Sequence, residues 1–131
     1  YTYSKVVSKG VSLNGGTSVY RGLVYVREGA RYAKSSVSCE SLILDDKSKA
    51  YTIPHEQVFE DTATVTHEAY TGRIGEDKLF YLRSRGLSEE EARSLIVLGY
   101  FHDIMVNLPV EYVSIFNRAI ELELSRMGGV G

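Results

Sequence analysis

The texture of the chain changes near Gly72, and that change constrains the fold more than any single motif does. Upstream, seven of the ten Tyr lie among many Val, Ser and Thr, in short runs at residues 18–27, 36–44, 50–53 and 62–70. Turn formers separate the runs: Asn14-Gly15-Gly16, Glu28-Gly29, Asp45-Asp46-Lys47 and Glu60-Asp61. β-Branched and aromatic residues bounded by such breakers predict strands. In the last run the alternation is clean. Ala63, Val65, His67 and Ala69 take one face, and Thr64, Thr66, Glu68 and Tyr70 the other. The opening residues also read as strand, and a start mid-strand without Met predicts a fragment of a larger protein.

The strands do not read as simple hairpins, since Asn14-Gly15 is the one hairpin-turn dipeptide. Val24, Ile43 and Thr62 recur at a spacing of 19, which Tyr32 and Tyr51 share. A recurrence of that length is compatible with stacked coils of a β-solenoid. An antiparallel sheet is the competing reading, and pattern alone leaves both open.

Downstream the chain reads as helix. Residues 76–85 form a short helix with Leu79 and Leu82 on one face, and Gly86 stands where a left-handed residue ends it. Ser88 and Glu91 form a capping box, with Leu87 and Ala92 in the staple positions. Ala92, Leu95, Ile96 and Gly99 predict one buried face for the second helix. That helix ends before Pro109, which suits the first turn of a third. Val113, Phe116, Ile120 and Leu124 stripe the third helix, which ends near Met127, and residues 128–131 read as a frayed tail.

Charge narrows the function. Residues 1–70 hold 8 basic and 8 acidic residues, and residues 71–131 hold 7 and 9, so neither half is a basic module that would bind nucleic acid nonspecifically. No apolar run approaches the roughly 18 residues of a membrane span. A single Cys excludes an intrachain disulfide framework and a Cys-only zinc site, and a lone thiol favours the cytosol.

Motifs for stand-alone catalysis are missing: no phosphate loop, no nucleophile elbow and no dinucleotide fingerprint. His55-Glu56 and His67-Glu68 begin like a zinc-protease motif, but Phe59 and Thr71 stand where its second His belongs. Cys39 is either a small buried hydrophobe or a soft iron or sulfur ligand, and the neighbouring Glu40 would raise its pKa. His67 reads as an interior histidine and Glu68 as a surface carboxylate. His102 reads as capping or covering a surface.

Several blocks carry a resemblance. They are Ser-Val-Tyr-Arg-Gly-Leu-Val at 18–24, Ser-Val-Ser-Cys-Glu-Ser-Leu-Ile-Leu at 36–44, Tyr-Thr-Ile-Pro at 51–54, Thr-His-Glu-Ala at 66–69, and residues 72–92, which include Ser-Arg-Gly-Leu-Ser-Glu-Glu-Glu-Ala. Together they resemble the C-terminal part of the SufB/SufD proteins of iron–sulfur cluster assembly, over about residues 8–125. The resemblance implies a mixed β plus α chain: end coils of a right-handed parallel β-helix at 1–72, then a helical domain at 73–131 that docks a partner ATPase. It implies a cytoplasmic scaffold rather than an enzyme, with ATP hydrolysis belonging to a SufC-type ABC ATPase. Further partners are a SufB/SufD subunit or a second copy of the chain, and a cysteine desulfurase system as sulfur source. A homodimer through the strand-rich half is expected, with no nucleic acid and no membrane.

Residue by residue, the SufB motif's Cys falls on Cys39 and its Glu, in a His-Glu-Ala block, on Glu68. SufD typically has His-Gly-Ala there, so holding both residues makes this chain SufB-like. A SufD-like or purely architectural subunit is the alternative. The resemblance implies a transient iron–sulfur cluster held by Cys39 and Glu68 with His67 beside them, absent from the isolated fragment. The two lie 29 residues apart (68−39). On neighbouring coils, roughly 4.8 Å apart, they would reach one iron. In the helical half, Phe80, Tyr81, Arg83 and Arg85 are the residues expected on the ATPase-docking surface, since aromatics and Arg anchor interfaces.

Overall fold

The computed structural model describes residues 1–128; residues 129–131, most of the expected tail, lie outside the described residues. It forms two compact units, Tyr1–Arg73 and a second that begins at Ile74.

The first unit holds five ten-residue strands: β1 (Tyr3–Ser12), β2 (Thr17–Val26), β3 (Lys34–Ile43), β4 (Lys49–Val58) and β5 (Thr64–Arg73). Successive strands alternate between two parallel sheets, ordered β1-β3-β5 and β2-β4. No hairpin joins them. Asn14 and Gly15 have φ of 54° and 75°, and Gly16 N–H donates to Leu13 O at 2.9 Å. That dipeptide makes a tight turn as expected, but the turn is a corner that carries the chain from one sheet to the other.

The corners stack as the strands do. Gly15 N–H donates to Ser48 Oγ at 3.1 Å, and Lys49 N–H to Gly16 O at 2.9 Å. On the other side Gly29 N–H donates to Glu60 Oε2 and Tyr32 N–H to Thr62 Oγ1. Turn polar groups that a lone corner would leave to water are satisfied by the next corner.

The 19-residue recurrence is not the period of this stack. Tyr3 pairs with Lys34, Thr17 with Lys49 and Lys34 with Thr64, offsets of 31, 32 and 30. A full turn contains two strands and two corners, so like positions recur after about twice the strand-to-strand step. Val24 and Ile43, which the shorter spacing would align, lie in different sheets.

The core of this unit centres on β3, paired on both sides, where Val37 and Cys39 are each 3% exposed. Small residues let the sheets close on each other: a Cβ at Gly10 of β1 would lie 3.3 Å from Ser18 Oγ of β2. Strand β4 runs well beyond the expected 50–53. It pairs only with β2 among the described residues, an edge position that tolerates Pro54.

The second unit contains α1 (Glu76–Ser84), α2 (Glu89–Met105) and α3 (Val110–Gly128). Gly86 has φ of 98°; its N–H donates to Arg83 O and that of Leu87 to Leu82 O, so two of the carbonyls orphaned at the end of α1 are satisfied. Ser88 and Glu91 form the expected capping box, and Ala92 behind it is fully buried. The buried face of α2 differs from the expected stripe. Leu95 is 49% exposed and Gly99 is exposed, while Val97 and Met105 are buried. At 100° per residue Leu95 turns away, and the covered positions follow Ala92–Ile96 and Val97–Phe101–Met105. On α3 the expected stripe holds: Val113, Phe116 and Ile120 are partly covered and Leu124 is 4% exposed. Phe101 and Phe116 meet edge to face at 5.2 Å.

Candidate functional site

Cys39 sits mid-strand on β3 with Ser8 of β1 and Ala69 of β5 beside it in register. Its side chain is 3% exposed and faces the opposite sheet. His67 lies two residues before Ala69 and shares that face. Its Nε2 stands 3.5 Å from Cys39 Sγ. From the other sheet Tyr20 of β2 joins the group: its ring stands edge-on to His67, centroids 6.4 Å apart.

Burial pushes the Cys39 thiol up, and Tyr20 pulls it partly back. Glu40 is not the cause that the sequence suggested. It lies on the outer face, where it pairs with Lys9 at 3.3 Å. Burial also raises the Tyr20 phenol, with the charge of Cys39 adding to the effect.

Glu68 is not brought to this group. Its partner across the sheet is Ser38, not Cys39, and it is exposed. The register offset between β3 and β5 is 30, so a residue 29 positions beyond Cys39 falls on the other face. The expected shared-iron geometry of Cys39 and Glu68 on neighbouring strands is therefore not the arrangement within this chain.

A thiol and an imidazole at this distance are sulfur and nitrogen donors suited to iron, but iron in clusters takes four donors. Among the described residues no group of three or more His, Cys, Asp or Glu is gathered to hold a metal ion. His55 and His102 are exposed.

Tyr20 was not singled out from the sequence. The available signal was Tyr-x-Gly, which occurs at Tyr20–Gly22 and again at Tyr70–Gly72, with each ring lying over its glycine.

In the helical unit Phe80 is 77% and Tyr81 55% exposed, and α1 buries no residue. Arg85 donates to Tyr81 Oη at 3.0 Å and its guanidinium lies 5.3 Å from the ring centroid, while Arg83 pairs with Glu89 at 3.7 Å. Beside them Asp77, Lys78, Tyr81, Leu82 and Ile96 line a shallow cleft of about 310 Å³.

The sequence pattern described as SUF system FeS cluster assembly, SufBD core domain, matches residues 1–100. Over 130 residues the chain is 44% identical to iron–sulfur cluster assembly SufBD family proteins of Staphylococcus haemolyticus (strain JCSC1435), Staphylococcus epidermidis (strain ATCC 12228) and Staphylococcus aureus (strain USA300). Each match covers 99% of this chain and 28% of the relative, so the chain spans little more than a quarter of the curated relatives' length.

Proposed function

The chain belongs to the SufBD family of iron–sulfur cluster assembly proteins, and from that premise we propose that it serves as a SufB-like segment of the assembly scaffold. The carrying observation is the contact between Cys39 Sγ and His67 Nε2 at 3.5 Å, inside the strand unit. The cluster is cargo. Cys39 offers it the one thiolate of the chain, and His67 a second donor. The remaining donors come from a partner SufB/SufD subunit or a second copy. Glu68, on the outer face, meets iron only at such an interface.

Five parallel strands alternating between two sheets, with stacked corners, support reading residues 1–72 as coils of a right-handed parallel β-helix. The exposed Phe80, Tyr81 and Arg85 support docking of a SufC-type ABC ATPase on the helical unit, residues 73–131. ATP hydrolysis belongs to that partner, and sulfur arrives from a cysteine desulfurase system. The setting is the cytoplasm; among the described residues no helix is long and apolar enough to cross a membrane.

One observation favours a second reading. Cys39 is 3% exposed, which suits a structural thiol in a SufD-like or architectural subunit. Anaerobic reconstitution of the full-length protein with ferrous iron and sulfide, in complex with its ATPase, separates the two. The scaffold reading expects visible cluster absorbance that Cys39→Ser abolishes at unchanged thermal stability. Wild-type absorbance in Cys39→Ser would establish the second reading instead.

A further inference from the structure

The helical unit keeps a second apolar face, and we infer that it is a docking groove for a basic amphipathic helix of a partner protein. This surface uses neither Cys39 nor the Phe80, Tyr81 and Arg85 surface of α1. Between α2 and α3 lies an open groove of about 700 Å³ whose apolar lining is Leu87, Leu95, Leu98 and Leu122. Leu95 is 49% and Leu122 46% exposed, so the chain itself does not cover this lining. Leu95 and Leu98 stand three residues apart on α2 and share a face. That face accounts for Leu95, which the buried face of α2 leaves out.

The α3 side of the groove continues along the helix. Tyr112, Ile115, Ala119 and Leu122 are spaced three, four and three residues apart, and all four are exposed. At 100° per residue this stripe lies about a third of a turn from the covered stripe of Val113, Phe116, Ile120 and Leu124. A three-four spacing is the seam into which another helix inserts its side chains, and an uncovered apolar seam of that kind marks an interaction site.

Charge selects the occupant. Among the described residues that line the groove, Glu90, Glu91 and Glu121 are acidic and Arg118 is basic. Arg118 already lies 3.9 Å from Glu121. A second copy would bring the same negative rim against this one and is repelled. A helix with apolar residues on its seam and Lys or Arg on its flanks matches both floor and rim.

The test is titration of the full chain with a synthetic peptide of about 20 residues, long enough to form a helix. It carries Leu at the a and d positions of its heptads and Lys at e and g. Saturable binding is expected, weakened about tenfold or more by Leu95→Ser and by Leu122→Ser. Glu90→Gln with Glu121→Gln should also weaken it and flatten its dependence on salt. The same peptide with Glu in place of Lys should bind at least about tenfold more weakly. All four substituted residues are exposed, so the variants should keep the wild-type unfolding midpoint. Should a leucine variant fail to fold, the glutamine pair carries the test. No binding of the Lys peptide, or equal affinity in every variant, overturns the inference, as does equal affinity for the Glu peptide. Self-association of the chain that Leu122→Ser abolishes would assign the groove to a second copy and overturn it as well.

Discussion

Glu68 leaves its sheet on the face opposite Cys39, because the residue across from it on β3 is Ser38. The two side chains are separated by the sheet itself, so each can be removed without disturbing the other. In the reconstituted full-length complex, Cys39→Ser is expected to abolish cluster absorbance. Glu68→Gln should reduce it less, and should change unfolding free energy by no more than about 0.5 kcal/mol, as for an exposed side chain. Urea titrations beside the absorbance measurement check both.

The outer face of the same sheet carries a second testable pair. The Lys9 side chain is 7% exposed and lies 3.3 Å from Glu40. Glu40→Gln withdraws a carboxylate from a covered ammonium and should destabilise by roughly 1–3 kcal/mol. Arg73→Ala, which breaks an exposed pair with Asp46, should cost about 0–1 kcal/mol. Urea midpoints at constant slope distinguish the two.

The junction between α1 and α2 is stabilised by local geometry. Ser88→Ala removes the hydroxyl that accepts from Glu91 N–H at 3.1 Å and should cost about 1 kcal/mol. Gly86→Ala forces a Cβ into φ of 98° and should cost roughly 1 kcal/mol or more. Circular dichroism during chemical unfolding reads both losses.

Acid should weaken the corner that holds Asp45. Partial burial pushes the Asp45 carboxyl up, but the Ser48 hydroxyl and the N–H groups of Lys47, Ser48 and Gly15 outweigh that, lowering it from 3.8 to about 2. A depressed folded value means the contribution is complete above the unfolded pKa and is lost as pH falls. The unfolding midpoint should therefore drop between pH 3.8 and about 2. Asp45→Asn should lose stability at neutral pH and show a shallower acid slope over that window.

Docking of the partner ATPase is expected to depend on the Tyr81–Arg85 pair. Tyr81→Ala with Arg85→Ala should weaken binding at least tenfold, an interface-anchor effect of about 1.4 kcal/mol or more. Helical content should not change, because α1 buries neither residue. Calorimetric titration with the ATPase gives the result, and an unaltered affinity would move the docking surface to α3.

Much of the helical unit was legible because its signals are local. Ser88, Glu91 and Gly86 act within one helical turn of their own positions, and each occupies the expected place. The Leu95 and Gly99 face of α2 was not legible. A helix packed against more than one neighbour has no single stripe, and Val97 became covered only through tertiary packing. In the strand unit, composition located strands, but the 19-residue recurrence misstated their period. Small inward residues such as Ser8, Gly10 and Ser41 carry no repeat that a reader of side-chain types can follow.

For the candidate site the division falls between alternation and register. That His67 and Glu68 face opposite ways follows from strand alternation alone, and the chain shows it in the run from Ala63 to Tyr70. That His67 rather than Glu68 joins Cys39 depends on the offset of 30 between β3 and β5, a sum over two corners and an intervening strand. One residue more or less in a corner would reverse it. By itself the sequence determined element types, helix ends and the alternation within each strand, since these arise from neighbours along the chain. Only the tertiary structure decided that Cys39, His67 and Tyr20 share one interior, because pairing between strands about 30 residues apart is set by corner geometry and sheet closure.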